Sequence, residues 1–506
     1  MTRGFDVIVV GAGSAGSVLT RRLVDAGAEV LLLEAGGTDS NPAIHDPSRM
    51  AELWHSTDDW NYCTTPQEHA AGRRLHLPRG RVLGGSHSLN AMIWVRGAPA
   101  DFDHWAELGN DGWSWDDVLP VYRGIENYAG PADELRGRGG LLDVVANEPL
   151  HPVQQAVLDA AVSSGVPYNP DYNGPSLDGV SQQQVTTRGG RRLSTWGAYA
   201  EPVANAPNLT VRTDARVHRL SLRGGRVTGV EFEAGGRLER ALADRVVLAA
   251  GAIGSPAVLL RSGIGPAAEL RALGIDPVAD IPGVGKNLHD HLLSPVIFTT
   301  DSLVVEPPMP GRSVTQTHLF ARSKPGLRTP DTQPIHFSVP MYEPWMTGPE
   351  HGFSLMAGMI APRSRGSVRL SGPETDDELR IDLGALSEPE DLESLTASVR
   401  QCREIGTAGP LGETWAAREL YPGPDVDDEA TVRDYVRRTA ITYHHQVGTC
   451  KMGVDDMSVV DPELAVHGVA GLHVADASIM PRITSGNTNA PAVLIGERAA
   501  SFVLEN

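Results

Sequence analysis

The residues that most restrict this chain are 5–36, which read as strand, glycine turn, helix and strand. FDVIVV runs into GAGSAG at Gly11 to Gly16, a helical stretch follows, and EVLLLEAG closes the unit. Each part has a chemical job. Gly11 allows the tight turn, Gly13 lets backbone approach a pyrophosphate, and Gly16 lets the helix pack closely on the strand. Ser14 and Ala15 open the helix, whose N-terminal N–H groups suit a phosphate. Val18, Leu19, Leu23 and Ala26 fall at helical spacing and supply an apolar face for a sheet. Glu34, followed by Ala35, ends the second strand. A carboxylate there accepts the hydroxyls of an adenosine ribose and repels a 2′-phosphate, which favours FAD or NAD over NADP.

A length of 506 residues predicts two to four domains. The 41% apolar content suffices for large cores, and 55 glycines with 37 prolines predict many turns. A formal charge of −20 argues against a nucleic-acid partner, because phosphates need a basic stripe. The same acidity leans weakly toward a cationic or neutral substrate. Cys63, Cys402 and Cys450 form no C-x-x-C pair, so neither a disulfide framework nor a zinc site is expected. No signal peptide is read at the start, and no apolar run approaches the ~18 residues of a membrane span. A cytoplasmic location is the default expectation.

Nucleotide-type motifs lie at both ends and in the middle, which predicts a nucleotide domain assembled from separated segments. RVVLAAGAIGSPAVLLRSGIG, residues 245–265, reads as a buried strand and a helix with Pro256 in its first turn. The preceding residues 208–237 alternate apolar and polar between glycine turns, the pattern of an antiparallel meander. Residues 292–439 carry no nucleotide motif and read as substrate-facing. The proline-rich stretch 301–314 is the candidate lid. The expected division is 1–150, 186–291 and 440–506 for the cofactor domain, and 151–185 and 292–439 for the substrate domain.

Five blocks in order resemble the glucose-methanol-choline (GMC) flavoproteins. They are PRGRVLGGSHSLNAMIWVRG at 78–97, GAIGSPAVLLRSGIGP at 251–266, PGVGKNLHDHL at 282–292, YHHQVGTCKMG at 443–453 and the final block GLHVADASIMPRITSGNTNAPAVLIGERAA. The resemblance implies an α/β fold: a Rossmann-like FAD-binding domain built from discontinuous segments, with a substrate domain of antiparallel sheet and helices. It implies FAD rather than NAD. Gly84, Gly85 and Asn90 would approach the pyrophosphate or flavin, Val217 the adenine, and Ala250, Gly251, Asp476 and Ala477 the pyrophosphate and ribityl chain. Some members link FAD covalently through a histidine just before the asparagine of the GG segment. Leu89 stands there in this chain, so noncovalent FAD is expected, with His87 left open as a flavin contact.

By the same resemblance His445, rather than His444, is the catalytic histidine. An alcohol must lose its hydroxyl proton as hydride leaves the carbinol carbon for flavin N5, and imidazole, with a pKa of roughly 6.5, is a suitable base. The second catalytic position, a histidine or asparagine, is assigned to Asn489 from its spacing to the terminal IGER helix, with Asn487 the competing assignment. An amide N–H there would hydrogen-bond the substrate oxygen. No metal is expected, since His289 and His291 have no third ligand in reach. The implied activity is oxidation of an alcohol to a carbonyl, with oxygen or another acceptor taking the electrons. The alternative is a lyase of the hydroxynitrile type with a non-redox flavin. A serine hydrolase is disfavoured because no G-x-S-x-G elbow occurs.

Overall fold

The computed structural model describes residues 4–308 and 310–505. Two seven-stranded sheets organise the chain. In the first, Phe5–Val10 pairs in parallel with Val30–Leu33 on one side and with the end of Arg237–Leu248 on the other. Leu209–Arg212 extends the sheet beyond Val30–Leu33, and Leu472–Val474 pairs with residues 246–248. These central strands are apolar on both faces because both faces are covered, as parallel sheets require.

Strand Arg237–Leu248 joins two architectures. Its first half alternates exposed and buried residues and pairs antiparallel with Arg226–Ala234, while its last residues, VVL, are buried and enter the parallel sheet. The meander expected over 208–237 is completed by Ala215–Arg223. Its two hairpins turn at Gly224–Gly225 and Gly235–Gly236, all four at positive φ, which the tight turns of a twisted hairpin demand.

The second sheet is antiparallel, in the order Ala417–Tyr421, Leu292–Thr300, Phe353–Met359, Ile335–Phe337, Thr315–Phe320 and Gly179–Gln182. All of these strands arise from 151–185 or 292–439. The short Ile441–Thr442 joins at Leu292–Leu293. Side-chain alternation gives this sheet two different faces. Phe353, Leu355, Ala357 and Met359 pack with Leu395, Val399 and Cys402 of helix Pro389–Ile405, and Phe298 stacks on Phe353 with centroids 5.0 Å apart. Met356, Leu293, Ile335 and Phe337 point the other way, into a separate apolar cluster.

A long-range helix contact brings the chain ends together. Helix Asn489–Glu505 packs on helix Ser14–Asp25 so tightly that a Cβ on Gly496 would lie 2.6 Å from the Ala15 carbonyl oxygen. The C-terminal block therefore sits over the glycine turn. Glu126, at the start of a strand in a separate three-stranded sheet, is fully buried with two guanidinium groups. It accepts from Arg96 at 2.6 and 2.8 Å, from Arg136 at 3.0 Å, and from the Trp94 indole at 2.7 Å. Burial alone would raise the Glu126 carboxyl, but Arg96 and Arg136 hold it below the usual glutamate value.

Candidate active site

One cavity of about 630 Å³ connects the N-terminal glycine turn with the histidines near the C-terminus. It falls within the ~300–1,000 Å³ of ordinary ligand and cofactor sites. Gly11, Gly13, Ser14, Ala15, Glu34, Ala35, Gly85, Asn90, Val217, Ala250, Gly251, Asp476, Ala477, Asn487, Asn489 and His445 all line it. Gly16 and Gly84 act from behind the wall. A Cβ on Gly16 would sit 2.0 Å from the Gly11 carbonyl oxygen, the close packing inferred for the third glycine, and Gly84 holds a φ of 90° at the turn into Gly85.

The walls fit a dinucleotide. Gly13 and Gly85 bring two backbone loops against each other, and a Cβ on Gly85 would come 2.7 Å from the Gly13 Cα. Helix Ser14–Asp25 has no side-chain cap at Gly13, which leaves its N-terminal N–H groups directed at the cavity. Glu34 receives the N–H groups of Ala12 and Gly36 at 2.9 Å each, while burial pushes its carboxyl up to about 7. Asp476 accepts from the Gly251 N–H at 2.8 Å and the Ser255 hydroxyl at 2.5 Å, which ties the turn after residue 248 to the final block. These are the groups that would hold the phosphates, ribose and ribityl chain of FAD.

At the other end His445 is held on three sides. Its backbone N–H donates to Asp290 Oδ1 at 2.8 Å, and the second Asp290 oxygen accepts from Thr442 and Gln446. Burial raises Asp290 to about 6 against these hydrogen bonds. The His445 ring stacks on Tyr443 at 4.6 Å, and its Nδ1 lies 3.0 Å from Nδ1 of His291. Its Nε2 faces Asn487 Nδ2 at 3.2 Å. Asn487 Oδ1 accepts from Gln333 Nε2 at 3.0 Å, which assigns the amide so that its NH₂ points at His445. Nε2 of His445 is then the acceptor, so the ring proton sits on Nδ1 and points to His291. The Ile360 carbonyl neighbours the His291 ring, outside strict hydrogen-bond geometry for Nε2. Burial first, and His291 second, hold His445 well below its ordinary pKa, so it is neutral at pH 7.

The spacing argument that placed Asn489 beside His445 does not match this geometry. Asn489 is the first residue of the C-terminal helix, and its side chain turns down to Ser14, whose hydroxyl donates to Oδ1 at 2.6 Å. Its Nδ2 lies 3.3 and 3.4 Å from the two nitrogens of His87. Asn487, in the irregular segment before the helix, is the residue that reaches His445. His87 is buried beneath Asn489 with Thr186 Oγ1 and the Thr195 N–H on its nitrogens, and Leu89 lines the cavity in its place. His444 has its backbone in the left-handed region at φ 67° and gives its carbonyl to Arg79.

The described residues of 301–314 do not line this cavity. Of that stretch all but Met309 is described; Val305 is buried, His151 reaches the Glu306 carbonyl at 3.0 Å, and Gly311 bonds to Asp46. The segment is fastened to the flank instead. The rim includes residues 60–63 and 375–379, a contribution that carries no motif in the sequence. His289 is a brace, its Nδ1 2.6 Å from the Asn287 carbonyl and its Nε2 accepting from the Ile483 N–H at 2.9 Å. His55, Asp59 and His76 bring ligand-type atoms within 4.8 Å of one another, but both Asp59 oxygens already accept backbone N–H groups from His55, Asn61 and Arg79. Asp290, His291, Gln333 and Arg79 were not identified as contributors from sequence. The available signals were NLHDHL, whose carboxylate and second histidine both serve His445, and the block at 78–97, which opens with Pro78 and Arg79.

Residues 5–293 match the N-terminal and residues 362–496 the C-terminal GMC oxidoreductase family model. An oxygen-dependent choline dehydrogenase of Sinorhizobium fredii is 38% identical over 99% of this chain and 95% of its own, and that of Vibrio vulnificus is 36% identical over 100% and 95%. Among solved structures, pyridoxine 4-oxidase from "Mesorbium loti" superposes with a TM-score of 0.94 at 36% identity, covering 99% of this chain and 100% of that one. A formate oxidase of Aspergillus oryzae RIB40 gives 0.91 at 25% identity, covering 100% and 99%. The chain belongs to the GMC oxidoreductase family and is an FAD-dependent oxidoreductase acting on CH–OH donors.

Proposed function

We propose that the chain oxidises an alcohol to its aldehyde or ketone with His445 as the base and Asn487 as the donor to the substrate oxygen. The observation that carries this reading is the 3.2 Å pair of His445 Nε2 and Asn487 Nδ2 at the end of the cavity opposite the glycine turn. A hydroxyl that approaches both atoms from the cavity gives its proton to the Nε2 lone pair while the amide N–H meets the charge left on oxygen. FAD, when bound, supplies the hydride acceptor.

The supporting residues keep that geometry ready. Asp290 fixes the backbone at His445, Tyr443 fixes its ring plane, and Gln333 fixes the Asn487 amide. Because burial keeps His445 neutral, the base needs no prior deprotonation near neutral pH. The proton taken on Nε2 makes the ring cationic, with the raised carboxyl of Asp290 close behind its backbone.

Noncovalent attachment of FAD is part of the proposal, supported by Leu89 on the cavity wall and by the engaged nitrogens of His87. So is a cytoplasmic location, supported by three free cysteines; no helix among the described residues is long and apolar enough to cross a membrane. The deciding experiment is anaerobic mixing of the holoenzyme with alcohols. Loss of the oxidised flavin absorbance that disappears in His445→Ala supports the reading. Turnover with an unchanged spectrum supports a lyase and refutes it.

A further inference from the structure

We propose that the alcohol taken by this site is uncharged and largely apolar, and that alcohols bearing an ammonium group are rejected. The inference rests on the reading of His445 and Asn487 above and names the substrate class for that site. Its first basis is the wall. Next to His445 the cavity is bounded by Ile93, Leu293, Ile335, Phe337, Met356 and Tyr443, each at most 7% exposed and all in one buried apolar cluster. A charged head group entering there loses its hydration without gaining hydrogen bonds in return.

The second basis is the placement of charge. The carboxylates lining the cavity are Glu34, Asp376, Asp377, Glu378 and Asp476. Glu34 and Asp476 serve the nucleotide turns, Asp376 pairs with Arg216 at 2.7 Å beside the strand that carries Val217, and Asp377, which accepts the Glu374 N–H at 2.8 Å, and Glu378 follow Asp376 in the same segment. Asp290, the carboxylate associated with His445, lies behind its backbone and is committed to His445, Thr442 and Gln446. The charged side chain on the wall at the His445 end is instead a cation, Arg79, bonded to the carbonyls of Pro78 and His444. An ammonium ion would meet a like charge and no counter-ion.

The third basis is that the aromatic face beside the base, the other means of holding an ammonium ion there, is occupied: Tyr443 carries the stacked His445 ring with centroids 4.6 Å apart. An apolar ring or chain needs neither a free face nor a carboxylate. It gains from burial against Leu293, Ile335 and Met356 directly. The acidic surface, which leans toward cations, acts on encounter and not inside this pocket.

The test uses the holoenzyme with benzyl alcohol, choline and 4-carboxybenzyl alcohol, following anaerobic cofactor reduction. The expected order places benzyl alcohol at least about a hundredfold above choline in kcat/KM. In parallel, calorimetric titration of the oxidised holoenzyme compares anisole with tetramethylammonium, and anisole is expected to bind and tetramethylammonium not. Leu293→Glu should raise the choline to benzyl alcohol ratio at least about tenfold, whereas Leu293→Gln should not. If the glutamate variant fails to fold, the two titrations on the unaltered protein decide. Choline reduced as fast as benzyl alcohol, tighter binding of tetramethylammonium, or a preference for the carboxylated alcohol overturns the inference and leaves alcohol oxidation standing. Failure of every alcohol to reduce the cofactor overturns both.

Discussion

Replacing Asn487 and Asn489 separately by alanine discriminates the geometric reading from one based on spacing. In Asn487→Ala the His445 Nε2 loses its 3.2 Å neighbour, and the substrate oxygen loses its donor as charge develops. Removal of one such donor typically costs about 10²–10³ in rate, equivalent to ~2.7–4 kcal/mol. Gln333 Nε2, in a side chain with no exposed surface, also loses its 3.0 Å acceptor, which should reduce stability by about 1–3 kcal/mol. Asn489→Ala removes the 2.6 Å bond from Ser14 and the contact with His87 but nothing at His445. Its reduction rate should fall less than about tenfold, since the donor to the substrate remains. The assay is rapid anaerobic mixing of each FAD-loaded variant with saturating alcohol, with thermal unfolding measured beside it. A hundredfold loss in Asn489→Ala together with a rate within about threefold of the parent in Asn487→Ala would refute the reasoning.

Three further outcomes follow from the geometry. Gly85→Ala places a Cβ 2.7 Å from the Gly13 backbone at a φ of 54°, and should lower both FAD content and stability, the latter by about 1–3 kcal/mol, as read by cofactor absorbance and melting temperature. Glu126→Gln leaves buried Arg96 without its anion and Arg136 with Asp171 alone, and should cost about 3–5 kcal/mol in denaturant unfolding. Because the folded-state pKa of Glu126 is depressed, its contribution is present above the unfolded glutamate pKa and fades as pH falls through the folded value; the difference between parent and variant should narrow in acid. Finally, His445 is held below 6.5 by burial and its neighbours, and the base must be unprotonated to work. Cofactor reduction should therefore keep its rate as pH falls from neutrality past 6.5, and an acid limb centred above 7 would contradict this.

Much of the frame was legible because its signals are local. The turn at Gly11 to Gly16 requires small residues at fixed spacing, and the alternation in 208–237 reports one solvent-facing side of a hairpin sheet. Leu89 before Asn90 is likewise a one-dimensional fact. The stretch 301–314, the candidate lid, shows the converse: proline content marks irregular backbone but not what lies beneath it, and Val305, Glu306 and Gly311 are fastened at positions that do not line the cavity. The rim residues 60–63 and 375–379, far apart in sequence, meet only after folding.

The sequence by itself determined the dinucleotide unit, whose chemistry follows from the spacing of neighbouring residues, and the family blocks, whose resemblance to GMC proteins implies His445 as the base. Tertiary structure decided which asparagine meets His445, because helix geometry begins at Asn489 and turns that side chain toward Ser14, two residues after Asn487. It also decided what surrounds the base. His291, Gln333 and Leu293 lie on or beside strands of a sheet paired over long separations, and no periodicity states which face of that sheet closes on the cavity.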